Sequence, residues 1–331
     1  MKKYTLYAAI ISITWLTSCT NSKKTEDTGR DRIPVILDTD ANNELDDQHA
    51  IAYLLKSQET FDIKGITVNA TRGGGLVEEQ FAEAMRIVTL FEEQDRIPLK
   101  KGANASFDVI MKDIERPDFD GAEAVNFIIA EARKYKDNGL VLIPIGKLTN
   151  IALALEKAPD ISANIRIVWL GSNYPDPGEY NLDNDTAALN YILDQDVVFE
   201  MVTVRYGNPT GTWAILVSLP DIEANMPGKG PTINNPITGR HGGSFTNFGD
   251  YSLDLFTHIE LYGDPPSRSL FDVGAVAVVK NSHWAESNRI AAPKYTQEGW
   301  EERPGNQRNI LLWETFQRDS IVADFFAALD K

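Results

Sequence analysis

The chain has 331 residues, 43% of them apolar and 24% charged, which is ordinary for a globular protein and argues against disorder throughout. Asp and Glu total 48 against 32 Lys and Arg, giving a net charge of −16. Nucleic-acid phosphates would be repelled, whereas a cation would be welcome.

Met1-Lys2-Lys3 is basic, residues 4–16 are mostly apolar, and Leu16-Thr17-Ser18-Cys19 ends the run. Cys19 is the sole cysteine, so no intrachain disulfide can form. The segment resembles a bacterial lipoprotein signal. That resemblance implies lipidation of Cys19 after removal of the leader and attachment to the bacterial cell envelope, periplasm-facing or at the outer membrane. The absence of Asp just after Cys19 favours outer-membrane sorting in a Gram-negative cell. An ordinary cleaved signal is the alternative. The apolar run is short for a span, so the membrane is expected to be met through the lipid alone. The expected organisation is a signal over residues 1–19, a polar tether over 20–32 and one domain over 33–331.

Residues 35–37, Val35-Ile36-Leu37, predict a buried parallel strand. Asp38, Asp40, Glu44, Asp46 and Asp47 follow, and a helix is expected from Asp46, with acids in its first turn. Capping accounts for one or two of these acids. Five at one strand end repel one another unless a hard divalent ion with oxygen ligands sits among them. The stretch resembles the signature of the inosine-uridine-preferring nucleoside hydrolases, in which the first strand ends in Asp-X-Asp and a loop leads to Asp-Asp. The loop here, residues 41–45, has five residues where three are usual. It brings Asn42, Asn43 and Glu44 towards the acids.

A second strand is expected over residues 61–69, a helix over 77–91 and a short strand over 97–99. Such β-α alternation predicts an open, mostly parallel central sheet flanked by helices, in a single α/β domain. Asn69 reads either as a strand-end turn residue or as a neighbour of the acids. Gly73-Gly74-Gly75 lacks the Lys-Ser/Thr of a phosphate loop. Residues 103–120 look irregular, 122–134 helical and 139–145 a buried strand. Gly146-Lys147-Leu148-Thr149-Asn150 then resembles the family's Gly-Pro-Leu-Thr-Asn, with Lys147 in place of Pro. Thr149 or Asn150 could equally be a helix cap.

After a strand over 165–171 comes Asn173, then Glu179-Tyr180-Asn181, in a turn-rich loop. The spacing resembles the family's ribose-holding segment, and a carboxylate with two amides suits sugar hydroxyls. Residues 205–267 resemble the family least. Tyr251, Trp213, His241 and His258 are candidates there for leaving-group contacts, and residues 239–243 look mobile. Asp272 opens the late helix that resembles the family's His-Asp-Pro start, with Phe271 where many members carry the His that protonates the departing base. The aromatic tail, Trp300, Trp313, Phe316, Phe325 and Phe326, reads as core.

Taken together, the resemblance implies calcium held by Asp40, Asp47, Asp272 and the Thr149 carbonyl, with Asp40 also the general base. Asp46, Asn69, Asn173, Glu179 and Asn181 would bind the sugar. The implied reaction is hydrolysis of a ribonucleoside or related riboside, by a chain that could form homo-oligomers. A silent ribose- or nucleoside-binding lipoprotein is the alternative. A haloacid-dehalogenase-type phosphatase also begins with Asp-X-Asp, but wants Thr at the position of Asn42. No Gly-X-Ser-X-Gly elbow suggests a serine hydrolase.

Overall fold

Alternation along the first strand sets the architecture. Val35 and Leu37 face one hydrophobic cluster and Ile36 the other. This strand therefore carries helices on both faces, as an apolar run of this kind requires. The computed structural model describes Met1 and residues 32–331; the expected signal, Cys19 and the tether up to residue 31 lie outside the described residues. Among the described residues no helix is long and apolar enough to cross a membrane.

In chain order the elements are β1 (Ile33–Thr39), α1 (Asp46–Leu55), β2 (Phe61–Val68), α2 (Val77–Leu90), β3 (Leu99–Lys101), α3 (Phe107–Ile110), α4 (Ala122–Ala132), β4 (Leu140–Pro144), α5 (Thr149–Lys157), β5 (Ile165–Leu170), α6 (Tyr180–Asn184), α7 (Thr186–Leu193) and β6 (Val198–Val202). They continue with β7 (Leu216–Ser218), α8 (Leu219–Asn225), β8 (Ile237–Gly239), β9 (Gly242–Phe245), α9 (Phe248–Thr257), β10 (Ser267–Ser269), α10 (Phe271–Lys280), β11 (Glu286–Ala291), β12 (Lys294–Thr296), β13 (Gly299–Glu301), β14 (Asn309–Glu314) and α11 (Arg318–Leu329).

The central sheet has eight strands in the order β11-β14-β6-β5-β4-β1-β2-β3. All pairings are parallel except β11 with β14. From β1 the chain winds outward through β2 and β3, then returns to β4 on the other side and winds away through β5 and β6. The strand order thus reverses between β1 and β4, and the crevice beyond the carboxyl ends of such a pair is where open sheets bind ligands.

Two helices packed against each other are buried along almost their whole length, α1 and α10. Burial of each large apolar side chain contributes about 1.5–3 kcal/mol, enough to fix both helices on the sheet. Two polar side chains on α1 find partners: His49 Nε2 lies 2.7 Å from Ser252 Oγ, and Gln48 donates to Glu83 at 3.0 Å. Gly274 of α10 is a close-approach point, since a Cβ there would lie 2.6 Å from Thr212 Cγ2. Residues 239–243, expected to be mobile, form the two-residue turn and flanks of the β8–β9 hairpin. The edge strand expected over 97–99 forms two residues later, as β3.

Candidate active site

Three elements end at the reversal point with acids. Asp38 and Asp40 come from the end of β1, Asp46 and Asp47 from the first turn of α1, and Asp272 from the first turn of α10. Carboxylate oxygens of Asp46, Asp47 and Asp272 all lie within 4.8 Å of one another. Their helix N-termini offset part of the negative charge. Arg268 offsets part of the charge on Asp46. Burial, then repulsion from Asp40 and Asp46, pushes Asp47 well above the usual carboxylate range. Burial, then Asp46, Asp47 and Asp40, does the same to Asp272. Burial and the nearby Glu44 push Asp46 up to about 8. Burial, opposed by a hydrogen bond from Thr71 and reinforced by Glu179 and Asp38, pushes Asp40 up to about 7.

Two of these acids are braced from behind. Thr71 donates to Asp40 Oδ2 at 2.6 Å, and Tyr180 holds Thr71 in turn at 3.3 Å. Asp38 accepts from Thr67 at 2.5 Å, Asn150 at 2.7 Å and Asn69 at 2.9 Å. Burial pushes Asp38 up to about 6 despite these donors. Gly146 admits Asp40 to this position, since a Cβ there would lie 2.8 Å from Asp40 Oδ1.

The acids form one end of a cleft of about 260 Å³. Glu179 and Asn181 line its side. Glu179 caps α6, accepting from the backbone N–H groups of Asn181, Leu182 and Ser172 at 2.9–3.0 Å. Asn181 donates to the carbonyls of Ile145 at 2.9 Å and Leu170 at 3.2 Å, which leaves its own carbonyl oxygen for a ligand. The far wall is aromatic: Tyr206, Trp213, Tyr262 and Phe271. Phe271 meets Tyr206 edge-on, with ring centroids 5.6 Å apart. Arg268, with its side chain 6% exposed, pairs with Glu44 and stacks on Tyr262. Arg240 grips the carbonyls of Glu44 at 2.9 Å and Asn43 at 3.3 Å, so two arginines clamp the long loop over residues 41–45.

Residues 35–299 match the family described as inosine-uridine preferring nucleoside hydrolase. The chain belongs to this family. Among relatives of the nucleoside hydrolase family, a pyrimidine-specific ribonucleoside hydrolase, RihA, of Shewanella sp. (strain MR-7) is 28% identical over 190 residues, 51% of this chain and 58% of that protein. The match thus spans little more than half the length of that curated relative. The solved structure of a plant nucleoside hydrolase, PpNRh1, superimposes with a TM-score of 0.71 over 91% of this chain and 99% of its own, at 18% identity. The purine-preferring ribonucleoside hydrolase from Gardnerella vaginalis gives 0.64 over 90% and 98%, at 20% identity. These two likenesses establish the nucleoside hydrolase fold.

Within that fold, the structure gathers Asp40, Asp46, Asp47, Asp272, Glu179 and Asn181 around one cleft. Three expected residues stand elsewhere. Thr149 opens α5, so its carbonyl runs along the helix, and its hydroxyl donates to Asp185. Ile145, just past β4, lines the cleft at this corner, and its carbonyl accepts from Asn181. Asn69 is wholly buried behind β1, holding Asp38, and its Oδ1 has no partner. Asn173 lies outside the lining and accepts from the N–H of Tyr206 at 3.2 Å. Trp213 lines the cleft as anticipated, whereas Tyr251 is buried against Glu83. Of the long loop, Asn43 and Glu44 reach the cleft, while Asn42 turns away to Gln80 and Gly74. Tyr180, Tyr262 and Arg268 were missed; nothing in their local spacing distinguishes them from surface or core aromatics and a paired Arg.

The donor set fits a hard cation. It is all oxygen, it is buried, and its members raise one another's pKa in the absence of a positive charge.

Proposed function

We propose that the chain hydrolyses the N-glycosidic bond of a ribonucleoside or related riboside, with calcium as the metal. The observation carrying this reading is the meeting of the Asp46, Asp47 and Asp272 carboxylates at the head of a cleft that Asp40, Glu179 and Asn181 also line. Asp40, Asp47 and Asp272 would hold the ion, and the Ile145 carbonyl is the backbone oxygen best placed to replace that of Thr149. Bound there, calcium would neutralise the acids and make a nearby water more acidic.

Asp40, oriented by Thr71, takes a proton from the attacking water. The water oxygen bonds to the anomeric carbon, and the electrons of the C–N bond leave with the base, which then picks up a proton. Positive charge grows on the sugar as that bond breaks. Asp46 and Glu179 face that charge, while Asn181 offers its carbonyl to a hydroxyl. The aromatic wall suits a flat leaving group. RihA is named for pyrimidines and the Gardnerella enzyme for purines, so base preference is left to experiment. The lipid anchor at Cys19 belongs to the same proposal and places the reaction at the cell envelope.

A silent riboside-binding protein is the second reading, favoured by one observation: Phe271 offers no proton where the family's acid stands. Reducing-sugar release from a nucleoside panel, with calcium and with a chelator, separates the two. Calcium-dependent release that Asp40→Asn abolishes, with thermal unfolding intact, is expected. Calorimetric binding of nucleoside with no sugar released would establish the silent reading instead.

A further inference from the structure

A second group of ligand atoms lies beside the cleft, on elements that the proposed hydrolysis does not use. Asp254 of α9 and His258 at its C-terminal end are four residues apart and so share a helix face. The turn of the β8–β9 hairpin adds His241. A nitrogen from each histidine and a carboxylate oxygen of Asp254 lie within 4.8 Å of one another. The two imidazoles lie nearly parallel, with centroids 4.2 Å apart.

The spacing within the group is informative. His241 Nδ1 is 3.6 Å from Asp254 Oδ2, and His258 Nδ1 is 3.6 Å from Oδ1. That is too long for a hydrogen bond. It is close to the separation of two ligands on one ion, since metal–nitrogen and metal–oxygen distances near 2.1 Å at a tetrahedral angle put the two atoms about 3.4 Å apart. Asp254 Oδ2 is also buried with no hydrogen-bond partner, an arrangement a cation would relieve. The Arg240 guanidinium is directed to the carbonyls of Asn43 and Glu44. A hollow of about 210 Å³ adjoins the group, lined in part by Glu44, His241 and His258.

We propose that His241, Asp254 and His258 form a three-ligand site for a divalent transition metal of the zinc type, separate from the oxygen-only site in the cleft. To ligate, the half-exposed His258 ring gives up its Nδ1 contacts with the Asp254 carbonyl at 2.8 Å and the Thr257 hydroxyl at 3.1 Å. The ion then ties the β8–β9 hairpin to the end of α9. Arg240, on the same hairpin turn, grips the loop that carries Glu44 to the cleft rim, so metal at one site would steady the rim of the other.

The test uses the full chain saturated with calcium, with zinc followed by calorimetry and cobalt(II) by visible absorption. One further equivalent of zinc and an intense tetrahedral cobalt band are expected. Both should disappear in His241→Ala and in Asp254→Asn, and both should persist in Asp47→Asn, with circular-dichroism melts confirming that each variant folds. His258→Gln, at a half-exposed position, is the second ligand variant should Asp254→Asn fail to fold. No extra zinc in the wild type, binding that survives both ligand variants, or a cobalt band lost in Asp47→Asn would each overturn the proposal.

Discussion

Asp38 is almost wholly buried and is tolerable only because Thr67, Asn150 and Asn69 all donate to it. Asp38→Asn would turn an amide N–H₂ towards at least one of these donors. A loss of about 2–3 kcal/mol is expected in denaturant unfolding, because a donor facing a donor leaves both without partners. Phe271 poses a chemical question instead. By the resemblance read from the sequence it stands where many family members would carry a proton-donating His, and the cleft wall around it is aromatic. Phe271→His should raise kcat on inosine or uridine by about tenfold or more, the scale of general-acid assistance. It should leave p-nitrophenyl riboside unchanged, since that leaving group needs no proton; an equal effect on both substrates would remove this role. The acids at the end of β1 were legible in the sequence because a hydrophobic strand rarely ends in so many carboxylates without a ligand. Thr149 was misplaced for a physical reason: the motif marks a turn into a helix, but which oxygen faces the cleft depends on where α5 begins. Asn69 reads correctly as a neighbour of the acids, yet it contacts Asp38 from behind and does not line the cleft.

The helices α1 and α10 carry the geometry of the site. Each is buried almost all round, so packing fixes its first turn, and with it the position of Asp46, Asp47 or Asp272. Gly274 sets how near α10 comes to Thr212 and Ile215, with a Cβ there 2.6 Å from one and 2.9 Å from the other. Ala gains about 1 kcal/mol of helix propensity over Gly, but overpacking costs about 1–3 kcal/mol. Gly274→Ala should therefore destabilise by about 1 kcal/mol in thermal unfolding and weaken calcium binding by shifting Asp272. A stabilised variant with unchanged calcium affinity would show that α10 has slack. Strands and long helices were legible because their periodicity and length are local properties. The short elements between β6 and α10 were not. Their path is set by packing over the cleft, which also explains why Tyr262 and Arg268 escaped notice.

For the molecule as a whole, the clustered acids tie stability to pH. Asp38, Asp40 and Asp46 sit at about 6, 7 and 8 in the folded chain, above their usual range of about 4. Groups raised in this way contribute stability that is fully present below about pH 4 and lost as pH rises through their folded values. The metal-free chain should thus lose thermal stability between about pH 5 and pH 8. The extra stability conferred by calcium should grow over the same window, as the ion replaces protons. A metal-free melting temperature flat across that window would contradict the clustering. The order of β-α units in the sequence foretold a parallel sheet, but the reversal between β1 and β4, which places the cleft, emerges only when the strands pair. The most direct test is a calorimetric titration of chelator-treated protein with calcium at about pH 7, in two buffers of different ionisation heat. One site that releases protons on binding is expected, with affinity lost in both Asp47→Asn and Asp272→Asn. No binding, or binding indifferent to both substitutions, would contradict a calcium site built from these carboxylates.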